Sequence, residues 1–69
     1  MNEIYMAQRV DCPNLGFSMS FDIKNKFGVT TSYEHPFLDV KIEGENRDEM
    51  EQKRETIREY VWKNYQVCI

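Results

Sequence analysis

The chain has little of what marks most functional classes. Its 69 residues hold two cysteines, Cys12 and Cys68, one histidine, His35, three glycines and two prolines. Two cysteines are too few for the disulfide framework of a small secreted domain, and no apolar run of signal-peptide length follows Met1. No apolar segment approaches the length needed to span a bilayer. These absences predict a cytoplasmic protein with no membrane partner. Low-complexity stretches, internal repeats and linkers are lacking too, so residues 1–69 are expected to form a single domain.

A strong charge of one sign is also missing. Nine Lys and Arg stand against twelve Asp and Glu, a net charge of −3, with the signs interspersed. A mildly acidic balance removes the simplest source of nucleic-acid affinity, counterion release by a basic face, although it leaves room for a local basic patch. It is too weak to imply a mimic of DNA.

The residues that do redox, metal or nucleophilic chemistry are present without the spacing that chemistry needs. His35 with Cys12 and Cys68 would supply three zinc ligands, but there is no Cys-x-x-Cys and no second histidine, and the three residues fall on different elements. A nucleophilic cysteine needs a positioned base and an enclosing cleft, which so short a chain is poorly able to build. We therefore expect no metal, no cofactor and no enzymatic activity. A Cys12–Cys68 disulfide would close almost the whole chain, worth roughly 4 kcal/mol by loop entropy, but a reducing cytosol favours two buried thiols.

What is present is a change of period. Ile4, Met6 and Val10 share one parity and predict a first strand over about Glu3 to Val10. Asp11 to Gly16 then reads as a turn, because Pro13 pre-sets φ and Asn14 and Gly16 tolerate left-handed backbone. Phe17, Met19, Phe21 and Ile23 alternate with Ser18, Ser20, Asp22 and Lys24, which predicts a central strand. Asn25 to Gly28 reads as a hairpin tip. Val29 to Ile42 reads as a third strand bent or bulged at His35-Pro36, or as two strands if that pair splits it. From Asn46 onward the apolar period becomes that of a helix, with Asn46 as N-cap and Glu49 three residues later. The fold class expected is α+β: a three- to four-stranded antiparallel meander over about residues 3–43, packed on one C-terminal helix over about residues 46–66.

On the helical wheel Met50, Ile57, Val61, Tyr65 and Cys68 form one stripe, with Tyr60 at its margin. The predicted core sets Phe17, Phe21, Ile23, Val40 and Ile42 against Met50, Ile57, Val61 and Tyr65. Glu49 with Lys53 and Glu59 with Lys63 are spaced as favourable i,i+4 pairs on the opposite face. Trp62 breaks the pattern: the wheel places it among Glu51, Glu55, Arg58 and Gln66. Its indole either folds over the edge of the sheet or anchors an interface, where Trp, Tyr and Arg dominate binding energy.

The sheet face turned away from the helix is expected to carry Tyr5, Ala7, Arg9, Ser18, Ser20, Asp22, Lys24, Thr30, Ser32, Phe37, Asp39 and Lys41. Two function classes follow. The first is a protein-binding module that contacts its partner through Trp62, Arg58 and Glu55, with Tyr5 and Phe37 on the sheet. The second is a nucleic-acid binder using Arg9, Lys24 and Lys41 with the same two aromatics for stacking. A short sheet followed by one helix is similar in layout to the small DNA-binding domains of some integrases and of plant GCC-box factors, though no signature residue of either is present. It is also similar to phage-encoded inhibitors of host enzymes and defence systems, which implies an accessory protein that masks the working surface of a larger target. A small core and open sheet edges also predict a homodimer.

Overall fold

The computed structural model describes residues 2–69, apart from the side chains of Asn2 and Pro13. The order is β1 (Asn2–Arg9), α1 (Pro13–Phe27), β2 (Thr30–Glu34), β3 (Phe37–Gly44) and α2 (Arg47–Tyr65). The three strands form one antiparallel sheet in the order β1-β3-β2. Both helices lie on one face, α1 over β2 and β3 and α2 over β1 and β3.

The α+β class and the C-terminal helix are as expected, but the middle of the chain is not. Residues 17–24, expected as the central strand, lie in α1. The alternation of Phe17, Met19, Phe21 and Ile23 masks a second period, Leu15-Met19-Ile23-Phe27, which is the stripe α1 turns to the core. Met19 and Ile23 are fully buried, whereas Phe17 and Phe21 are 63% and 60% exposed and leave the predicted core. The flanking signals serve either reading. Pro13 stands at the helix start, where its missing N–H costs nothing, in place of the expected turn corner. Gly28 has φ 67° and donates to the Lys24 carbonyl at 3.0 Å, so the left-handed residue expected at a hairpin tip is a helix C-cap.

Of the two readings of residues 29–42, the bent third strand does not hold and the split into two strands does. Glu34 pairs with Phe37 across the His35-Pro36 turn, whose peptide bond is cis, and the chain reverses there. The connectivity is therefore not a meander: β3 is central, and β1 and β2 flank it, joined through α1. Period-two patterning holds on β1 and β3, with Met6, Leu38, Val40 and Ile42 buried on the helix side. On β2 the inward positions are Thr31 and Tyr33. Ser20 donates to the Thr31 hydroxyl at 3.0 Å, which donates on to the Ser20 carbonyl at 3.1 Å. Gly16 leaves room for the Tyr33 ring, which a Cβ at that position would strike.

Helix α2 begins as its sequence says. Asn46 Oδ1 accepts from the Glu49 amide at 2.8 Å, and Asp48 and Glu49 sit in the positive first turn. Met50, Ile57 and Val61 face the sheet, Tyr65 is half-buried, and Cys68 lies exposed beyond the helix instead of on the stripe. Ion pairs on its surface join Arg47 to Glu51 and Arg58 to Glu55, in place of the expected Glu49–Lys53 and Glu59–Lys63.

One polar contact ties the two helices together. The Tyr60 and Tyr65 hydroxyls both donate to Asp22 Oδ2 at 2.6 Å, and Lys26 lies 4.9 Å from the centre of the Tyr60 ring. The two hydroxyls hold the Asp22 carboxyl below its ordinary value, with Lys26 adding to the effect. Hydrogen bonding to Asp22, then burial, pushes Tyr65 up to about 12. A carboxylate depressed in the folded state stabilises fully above its unfolded pKa, near pH 4, and this contribution is lost as pH falls through the folded value. At the alkaline end the Tyr65 contribution is complete below about pH 10 and is lost as pH rises through about 12. Asp22→Asn should therefore melt lower than the parent at neutral pH, with the gap closing under acid. Thermal melts across the acid range check it, and a gap that stays constant with pH would remove the role of the charge.

Candidate functional site

Trp62 is placed by its neighbours on α2. Val61 points into the core and Tyr60 turns toward α1, where it packs edge-on to Phe27 at 5.5 Å. The next position, rotated about 100° from Val61, faces solvent. The indole is 59% exposed. It lines a depression with Glu55, Arg58, Glu59 and Cys68. Cys68 reaches this place because Gln66 ends the helix in left-handed conformation, φ 55°, its N–H donating to the Trp62 carbonyl at 3.0 Å, so the last residues turn back beside α2. Arg58 Nη1 lies 3.5 Å from Glu55 Oε1. That exposed pair adds little to the fold and sets the polarity of the rim. Trp62, Arg58 and Glu55 are thus brought together on one helix flank.

The other two residues named for partner binding lie elsewhere. Tyr5 and Phe37 are 64% and 56% exposed on the sheet face that the helices leave open. The register sets Tyr5 opposite Lys41 and Phe37 opposite Arg9, so each aromatic has a cation as its cross-strand neighbour. Arg9 and Lys41 of the basic set share this face. Lys24 does not, because it sits in the last turn of α1, and Ser18, Ser20 and Asp22 leave the face with it. The remaining cations are locally neutralised. Lys41 Nζ is 3.2 Å from Glu3, whose hydrogen bond raises the lysine pKa, and Arg9 lies 3.8 Å from Asp11.

A third aromatic surface escaped the sequence reading. Phe17 and Phe21 stack at 6.5 Å on the outer side of α1, and the Phe17 ring meets Tyr33 edge-on at 6.4 Å. The signal was their four-residue spacing, hidden because both also fit the period of a strand.

The chemistry-bearing residues are dispersed. His35 is in the β2–β3 turn, where Nδ1 lies 3.3 Å from the Tyr33 hydroxyl. Cys12 precedes α1, and Cys68 follows α2. Both thiols are free and exposed, contrary to the expectation of burial, and both border one depression with Gln8 to Asp11. Among the described residues no three of His, Cys, Asp and Glu are grouped to hold a metal ion. Among the same residues no helix is long and apolar enough to cross a membrane. Comparison with known protein families, with characterised proteins and with solved structures finds no match to this chain.

Proposed function

We propose that this chain is a non-enzymatic protein-binding module that acts by covering a surface of a larger protein, with Trp62 as its anchor and Arg58 and Glu55 as the rim. The observation that carries this reading is the exposed indole in a depression bordered by charged residues. An apolar centre inside a polar rim is the anatomy of a protein interface, and Trp and Arg are the residues most enriched among its energetic anchors. Masking of a host or defence protein by a phage or mobile-element accessory protein is the setting we propose for it, although the layout that suggested this setting, a sheet followed by one helix, is not the one found, since α1 lies between β1 and β2.

The nucleic-acid reading is weaker. Of its three cations only Arg9 and Lys41 share a face, where Glu3, Asp39 and Glu43 alternate with them. A mobility-shift titration at low salt with single- and double-stranded oligonucleotides is expected to give no micromolar, salt-sensitive complex. Appearance of one would replace the protein-binding reading with the alternative. The positive test is capture of a partner by immobilised chain from host extract, identification by mass spectrometry, and titration of the purified partner against parent and Trp62→Ala.

A further inference from the structure

We propose that the outer edge of β1 is a self-association surface, on which β1 of a second copy pairs antiparallel about a two-fold axis at Met6. β1 is an edge strand, and the parity of its open backbone follows from one bond. The Val10 amide donates to the Pro36 carbonyl at 2.6 Å, continuing the register that pairs Arg9 with Phe37. In an antiparallel ladder residues two apart point their N–H and C=O the same way. Met6 and Gln8 therefore bond toward β3, while Glu3, Tyr5, Ala7 and Arg9 turn theirs to the open edge. Among the described residues none of these four makes a backbone hydrogen bond outside the β1–β3 ladder, and only the Arg9 carbonyl is met, by the Gln8 side chain.

Little on β1 blunts this edge. The strand is eight residues long, contains neither Lys nor Pro, and pairs with β3 without a bulge, so its charged residues, Glu3 and Arg9 near its two ends, are the protecting feature it carries. The other edge, β2, is only five residues.

The sequence of β1 is complementary to its own reversal. Centred on Met6, Tyr5 and Ala7 of one copy exchange backbone bonds with Ala7 and Tyr5 of the other. Glu3 then lies opposite Arg9 twice, on the exposed face. This register satisfies the backbone parity and sets opposite charges across the axis, where Glu3 and Arg9 exchange the Lys41 and Asp11 that each meets within its own copy.

The helices fit the same arrangement. α2 lies over β1 and β3 and runs alongside β1: Arg47 and Met50 border a depression with Glu3 and Ile4, and Gln66 to Cys68 border another with Gln8 to Asp11. With strands about 4.8 Å apart, a helix seated between β1 and β3 is about 5 Å from the two-fold axis. Two copies then place their α2 helices about 10 Å apart, which is a packing distance. The α2 flank facing the axis carries Glu51, Arg54 and Arg58. Arg54 Nε is enclosed there with no hydrogen-bond partner among the described residues. Within each copy Glu51 is paired with Arg47 and Arg58 with Glu55, and the row ends on Trp62, so the dimer of antiparallel helices carries two Trp62 depressions at opposite ends of its helical layer.

Sedimentation equilibrium and amide hydrogen exchange test the proposal. The parent is expected to pass from an 8.3 kDa species to its dimer as concentration rises. Over the same range the Tyr5 and Ala7 amides should gain protection while those of Met6 and Gln8 stay protected throughout. Ala7→Pro removes one outward donor per copy without touching the β3 ladder, so dimerisation should weaken at least about tenfold. Glu3→Arg should also weaken it, and the exchanged pair Glu3→Arg/Arg9→Glu should restore it. A monomer at every concentration, or a dimer indifferent to both Ala7→Pro and Glu3→Arg, overturns the assignment. Capture of a larger target through Trp62 is read separately. Ala7→Pro is expected to keep that capture, so the failure of either idea is distinguishable from failure of the other.

Discussion

Ile57→Ala is expected to destabilise the domain by about 2–5 kcal/mol, while Phe21→Ala should change stability by less than about 1 kcal/mol. Ile57 is fully buried on α2, above the sheet and beside Val61 and Met50. Truncation removes three carbons from a close-packed site and leaves a cavity that a sheet and two helices cannot readily collapse into. A core this small rarely supplies more than roughly 3–5 kcal/mol, so this variant should be largely unfolded in buffer. Ile57→Val, costing about 0.5–1.5 kcal/mol, keeps the effect measurable within a folded population. Phe21 loses an exposed ring stacked only on Phe17, so little is removed from water that was not already in it. Urea unfolding of the three variants reads the comparison. Equal losses for Ile57→Ala and Phe21→Ala would mean that α1 packs its other face.

Trp62→Ala is expected to lose at least about 2 kcal/mol of partner affinity, roughly thirtyfold, while melting within a few degrees of the parent. The two effects separate because of where the indole sits. Its ring is mostly outside the core, so truncation costs the fold little, and each kcal/mol lost would lower the melting temperature by about 4–8 °C in a domain of this size. An anchor in an interface, by contrast, is desolvated on binding and its loss leaves a hole in the contact. Emission of the isolated chain should be red-shifted and readily quenched, then shift to the blue on adding the partner. A Trp62→Ala variant that melts far below the parent would return the residue to the core. One that melts normally and binds normally would move the site to Tyr5 and Phe37 or to the Phe17–Phe21 pair.

Much of the candidate site was legible because a helix is a local structure. Asn46 as cap and the buried spacing of Met50, Ile57 and Val61 fix the rotation of α2, and that rotation alone puts Trp62 outside with Arg58 and Glu55. Tyr5 and Phe37 were placed on the open sheet face by period-two parity, and they are found there. Lys24 was misplaced because its face depended on residues 17–24 being a strand. The Phe17–Phe21 surface was missed for the same reason, and so was the Asp22 clasp, whose partners lie 38 and 43 residues away along the chain.

The sequence by itself determined that a sheet and a C-terminal helix share one apolar core, which way β1, β3 and α2 face, and where α2 begins. Each of these rests on patterns within about a dozen residues, where side-chain period and capping chemistry act directly on the backbone. Only the tertiary structure decided what residues 13–27 become. Leu15, Met19, Ile23 and Phe27 satisfy a helix, Phe17, Met19, Phe21 and Ile23 satisfy a strand, and the choice falls to whichever face finds apolar partners. With β1 and β2 both pairing to β3, the helix-facing side of the sheet over β2 and β3 needs a cover, and a helix supplies it with fully bonded backbone. The same closure split the third strand at His35-Pro36 and left β1 at an open edge, because strand order depends on contacts that no local period encodes.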